Sequence, residues 1–93
     1  MRNLLIVEDE ASVRTSYRVL FAERYRLWLA ETVAQALGVL DAHTIDLVLL
    51  DLTLPDRNGL ELLRALAATG RKVPVIVVTA TNSVEAAVAA VKQ

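Results

Sequence analysis

Ninety-three residues make one small domain, and 55% of them are apolar, which is enough for a core. Ten Lys/Arg against eleven Asp/Glu leave a formal charge of −1. That balance excludes a strongly basic nucleic-acid groove, and the apolar content excludes disorder. Without cysteine there is no disulfide framework, no thiolate metal site and no cysteine nucleophile. The apolar runs are too short to span a bilayer, and Glu8-Asp9-Glu10 does not suit a signal peptide.

The first element predicted is a strand, Leu4-Leu5-Ile6-Val7, apolar on both faces. Val13, Tyr17, Leu20 and Phe21 then recur at helical spacing. Tyr25–Ala30 reads as an edge strand, with Trp28 packed on it. Thr32-Val33-Ala34-Gln35 has capping-box spacing and opens a helix carrying Ala36, Leu37 and Leu40. His43 follows in a loop and is expected to face solvent. Leu47–Leu50 is a second strand apolar on both faces. Leu60, Leu63 and Leu66 form the stripe of a third helix, closed by Gly70. Pro74 precedes the last strand, Val75–Val78. Asn82-Ser83-Val84-Glu85 opens a fourth helix, with Val84, Ala87, Val88 and Val91 on one face. Arg24, Arg26, Arg71 and Lys72 are read as solvated surface charge.

The order β-α-β-α-β-α-β-α implies a parallel sheet with helices on both faces. Such sheets place their sites at the carboxyl ends of the strands. Glu8-Asp9 ends the first strand, Asp51 the third and Thr79-Ala80 the fourth. Three carboxylates and a hydroxyl therefore converge on one rim. Repulsion among the carboxylates raises at least one pKa unless a cation sits between them. Hard oxygen ligands, with no Cys and no nearby His, suit Mg²⁺. A carboxylate beside that ion can attack phosphorus, while the ion neutralises charge on the transferring group. Taken singly, each feature has a plainer reading: acids at a helix start, a loop acid, a strand-end hydroxyl. Their joint placement favours the functional one.

Glu8-Asp9, Asp51 with Pro55 and Gly59 (D-L-T-L-P-D-R-N-G), and Thr79-Ala80 together resemble the receiver domain of bacterial two-component response regulators. The resemblance runs from Leu4 to Gln93. It implies a doubly wound, flavodoxin-like α/β fold of the chemotaxis-regulator type, with strand order 2-1-3-4. It further implies that Asp51 is the phosphoacceptor. Glu8, Asp9, Asp51 and the backbone carbonyl of Thr53 would hold Mg²⁺. Thr79 would be the switch hydroxyl, and the small Ala80 would leave phosphate a way in. Thr53 and Thr81 stand at positions that look like those tuning acyl-phosphate lifetime. Pro55 and Gly59 belong to the active-site loop. The implied donor is a sensor histidine kinase, a phosphotransfer protein or a small acyl phosphate. The implied compartment is the cytoplasm.

Two departures from the family pattern stand out. Glu8 occupies a position where Asp is common. The fifth strand with its Lys-Pro pair, and the fifth helix, have no counterpart before Val91-Lys92-Gln93. Residues 1–93 are thus expected to form one receiver domain cut before its last βα unit, with impaired switching. The bare edge of strand four, with helix four, is expected to favour a homodimer or a swapped oligomer. Tyr17, Leu20 and Phe21 are expected to lose cover.

The rival reading is a receiver-like interaction or dimerisation module that no longer signals by phosphorylation. A haloacid-dehalogenase-type phosphohydrolase ranks lower, because Thr53 stands where such enzymes want a second Asp. A nucleotide-binding domain ranks lower still, because Glu8-Asp9-Glu10 replaces the Gly-rich turn.

Overall fold

The computed structural model describes residues 1–52, 54 and 59–78. Four strands and three helices alternate along them. They are β1 (Arg2–Val7), α1 (Ala11–Phe21), β2 (Tyr25–Ala30), α2 (Val33–Ala42), β3 (Leu47–Asp51), α3 (Leu60–Ala68) and β4 (Val75–Val78). The expected fourth helix, at residues 82–93, lies outside the described residues.

All strand pairs are parallel, and the sheet order is β2-β1-β3-β4. This is the flavodoxin-like order that the resemblance to receiver domains implies. Successive side chains of a strand point to opposite faces, so each strand feeds two cores. Leu5, Val7, Val48, Leu50, Val75 and Val77 pack with Val33, Ala36 and Leu40 of α2 and with Leu62 and Leu66 of α3. Leu4, Ile6 and Leu49 pack on the other face with Tyr17 and Phe21 of α1. Among the described residues one helix therefore covers one face and two cover the other, which is why Leu4–Val7, Leu47–Leu50 and Val75–Val78 are apolar throughout.

The helix ends follow local chemistry. Thr32 caps α2, its hydroxyl accepting the Gln35 N–H at 3.1 Å. The return half of the predicted box is displaced by one residue. Gln35 Oε1 accepts the N–H of Glu31, at 2.7 Å, rather than that of Thr32. Gly70 ends α3 as predicted, with φ +71° in the left-handed region. Its N–H donates to Ala67, and the Arg71 N–H donates to Leu66, each at 3.2 Å. That pair of bonds satisfies two of the carbonyls in the last turn of the helix.

Two readings need correction. The inward stripe of α3 is Leu62 and Leu66, while Leu60 is exposed. Arg71 is not free surface charge but pairs with Asp41, joining the end of α2 to the turn after α3. His43 is exposed but also stacks on Trp28, ring centroids 3.8 Å apart. The cover predicted to be thin on α1 is thin at one residue: Leu20 is 64% exposed, whereas Tyr17 and Phe21 are half-buried and stacked.

Candidate functional site: an acidic cluster at the strand ends

The register of the sheet builds the site. Val7 of β1 lies beside Leu50 of β3, so the next residues, Glu8 and Asp51, come side by side at the carboxyl ends. Alternation directs them as well. Ile6 and Leu49 face α1, and Glu8 and Asp51 stand two residues further along the same strands. The Glu8 N–H still donates to the Ala30 carbonyl, at 2.9 Å, extending the β1–β2 ladder by one bond.

Glu8, Asp9 and Asp51 each offer a carboxylate oxygen, and these oxygens all lie within 4.8 Å of one another. Glu8 is the sole buried polar or charged residue among those described, at 7% exposure. Burial pushes its pKa from 4.5 up to about 7, and the neighbouring Asp51 and Asp9 carboxyls add to the rise. A hydrogen bond from the Glu10 N–H to Glu8 Oε2, at 3.2 Å, works in the opposite direction. The field of the cluster reaches α1, where the Tyr17 phenol is raised by its own burial and then by Glu8 and Asp51.

The loop between β1 and α1 has a brace that the sequence reading did not assign. Arg14 Nη1 donates to the carbonyls of Glu8 and Asp9, at 2.9 and 2.8 Å. Its Nη2 pairs with Glu31 at 2.9 Å. Glu10 occupies the N-cap of α1 without a side-chain capping bond, so the plain reading of the acidic run as capping residues does not hold for it.

Gly59 holds the far side of the site. Its φ of −57° suits any residue. Space is what excludes a side chain: a Cβ there would lie 2.8 Å from the Asp51 carbonyl oxygen and 2.9 Å from the Leu52 Cα. Its N–H donates to the Leu52 carbonyl at 2.9 Å. A Gly59→Ala change is therefore expected to push the chain after Asp51 outward and to cost about 1–3 kcal/mol. Urea denaturation of the two proteins measures this, and equal midpoints would contradict it.

Of the predicted site residues, Glu8, Asp9 and Asp51 come together, and Gly59 packs on the chain that follows Asp51. Thr53, Pro55, Thr79, Ala80 and Thr81 lie outside the described residues.

Comparison with known proteins decides the family. The response regulator receiver domain family matches residues 4–93. The chain belongs to that family. Among its relatives is the swarming motility regulation protein RssB of Serratia marcescens, 38% identical over 87 residues, covering 92% of this chain and 40% of that one. The transcriptional regulatory protein MalR of Bacillus subtilis is 39% identical over 88 residues, covering 91% of this chain and 37% of that one. The chain thus spans about two-fifths of the length of these curated relatives. Among solved structures, the MaeR response regulator bound to beryllium trifluoride superposes with a TM-score of 0.82 at 39% identity, over 91% of this chain and 72% of that one. The signal receiver domain of a putative Luxo repressor protein from Vibrio parahaemolyticus gives 0.86 at 30% identity, over 99% and 72%. As a receiver domain the chain is a signalling module of two-component systems. Among its described residues no helix is long and apolar enough to cross a membrane.

Proposed function

We propose that this receiver domain carries its signal as a phosphoryl group on Asp51, taken up in a Mg²⁺-dependent reaction. The observation that carries the reading is the meeting of Glu8, Asp9 and Asp51 within 4.8 Å at the ends of adjacent strands. The donor set fits the ion: three hard carboxylate oxygens, one of them on a glutamate whose proton is easily displaced near neutral pH. Glu8, Asp9, Asp51 and the Thr53 carbonyl are the residues that would hold it. When bound, Mg²⁺ supplies charge neutralisation for the transferring group.

An Asp51 carboxylate oxygen attacks phosphorus. The new P–O bond forms as the donor's P–N bond (phosphohistidine) or P–O bond (acyl phosphate) breaks, and the donor keeps that electron pair. Water later hydrolyses the acyl phosphate, returning Asp51 and inorganic phosphate. Before that hydrolysis Thr79 would bond a phosphoryl oxygen as the switch, the small Ala80 would leave phosphate a way in, and Thr53 and Thr81 would set the lifetime. The donors are a sensor histidine kinase or a phosphotransfer protein, met in the cytoplasm. Among the relatives, MaeR is described bound to beryllium trifluoride.

Intact mass spectrometry after incubation with acetyl phosphate tests the proposal. A phosphoryl adduct that forms with Mg²⁺ and vanishes with EDTA is expected. A folded protein that gains none would remove phosphorylation from the account.

The second reading, self-association, draws on Ile76 of β4, which is 36% exposed on the sheet face shared with α1. It predicts a molar mass that rises with concentration in light scattering. A constant monomer mass would dispose of it.

A further inference from the structure

We propose that Arg14 is a positioning residue for the acidic site, fixing the backbone of Glu8 and Asp9 so that their carboxylates face Asp51. This rests on the metal reading above. One guanidinium nitrogen bonds two successive carbonyls, at 2.9 and 2.8 Å. In a strand, successive carbonyls point to opposite sides. Arg14 therefore gathers two carbonyls that an extended chain would splay. The chain turns where β1 ends, immediately after the last ladder bond from the Glu8 N–H. The turn also brings the Glu10 N–H back to the Glu8 carboxylate at 3.2 Å.

The guanidinium is itself held. Its side chain is 16% exposed, and Glu31 pairs with the second nitrogen. Glu31 follows directly on β2, and its N–H is fixed by Gln35 from the first turn of α2. Three elements thus meet at Arg14: the β1–α1 loop, α1 itself and the β2–α2 junction. Its contacts with Glu8 and Asp9 run through backbone oxygens, so its influence on their carboxylates is one of placement. A planar fork reaches two carbonyls and a carboxylate at once, which a lysine ammonium cannot reproduce fully.

The test is calorimetric Mg²⁺ binding at pH 7.5 by the wild type, Arg14→Met, Arg14→Lys and Glu31→Gln. Groups that orient metal ligands from behind typically govern affinity by 10–100-fold. Arg14→Met is expected to bind about tenfold more weakly, Arg14→Lys to recover part of that loss, and Glu31→Gln to weaken binding by a smaller factor. In metal-free Arg14→Met, the amide resonances of Glu8, Asp9 and Glu10 are expected to move. A folded Arg14→Met protein with wild-type affinity and unmoved resonances would overturn the proposal. If that variant does not fold, wild-type affinity in both other variants would do so. A wild type that binds no Mg²⁺ would instead defeat the metal reading. The metal-free resonances would then decide placement alone: unmoved, they overturn it; moved, they support it.

Discussion

Asp51→Asn is expected to abolish phosphoryl uptake completely and, in the absence of Mg²⁺, to make the protein more stable. The two effects have one cause. The amide lacks the anionic oxygen that attacks phosphorus. It also removes one negative charge from a cluster whose carboxylate oxygens lie within 4.8 Å of one another. Above about pH 7, where Glu8 is ionised, like charges at that spacing oppose folding, and the amide can donate to Glu8 in place of repelling it. A gain of roughly 1–2 kcal/mol is expected from relief of that repulsion. Thermal unfolding in EDTA, run beside intact mass in acetyl phosphate and Mg²⁺, reads both. Loss of phosphorylation together with loss of stability would mean that Asp51 is mainly a structural acid.

Glu8 gives the second large effect. Its pKa is raised from 4.5 to about 7, so the folded state holds a proton that the unfolded chain releases between those values. Stability contributed by this group is therefore full below pH 4.5. It falls as pH rises through the interval and is lost above about pH 7. The shift corresponds to about 3 kcal/mol, a large share of the stability of a small domain. Melting curves without Mg²⁺ are expected to show the wild type losing stability from pH 5 to 7.5 relative to Glu8→Gln, which lacks the titrating group. On the proposed metal reading, Mg²⁺ is expected to reverse the sign of the effect, because it would bind the ionised form. Its affinity is expected to rise about tenfold per pH unit up to pH 7 and then level off. Parallel pH profiles for wild type and Glu8→Gln would contradict the assignment.

Much of this is legible in the sequence alone. Leu4–Val7, Leu47–Leu50 and Val75–Val78 are apolar at every position, which only strands covered on both faces require. Their sequels, Glu8-Asp9 and Asp51, then had to meet once the strands ran parallel. The phase of α3 was not legible. Leu60, Leu62, Leu63 and Leu66 satisfy more than one helical stripe, and the inward face depends on how Gly59 seats against Asp51 and Leu52. Arg14 was invisible for a different reason. It acts on backbone carbonyls, which carry no residue signature, and an arginine early in a helix reads as solvated charge. The Trp28–His43 stack joins a strand to a helix end fifteen residues away, a contact that only tertiary packing creates.

The central claim is that Asp51 itself receives the phosphoryl group. Borohydride reduces an acyl phosphate to the corresponding alcohol, so it converts a phosphorylated aspartate to homoserine. The decisive measurement is peptide mapping by tandem mass spectrometry after acetyl phosphate, Mg²⁺ and borohydride treatment. Homoserine at position 51, absent when Mg²⁺ is withheld, is the predicted result. An unmodified Asp51 in a folded, phosphoryl-labelled protein, with the label at any other residue, would contradict it.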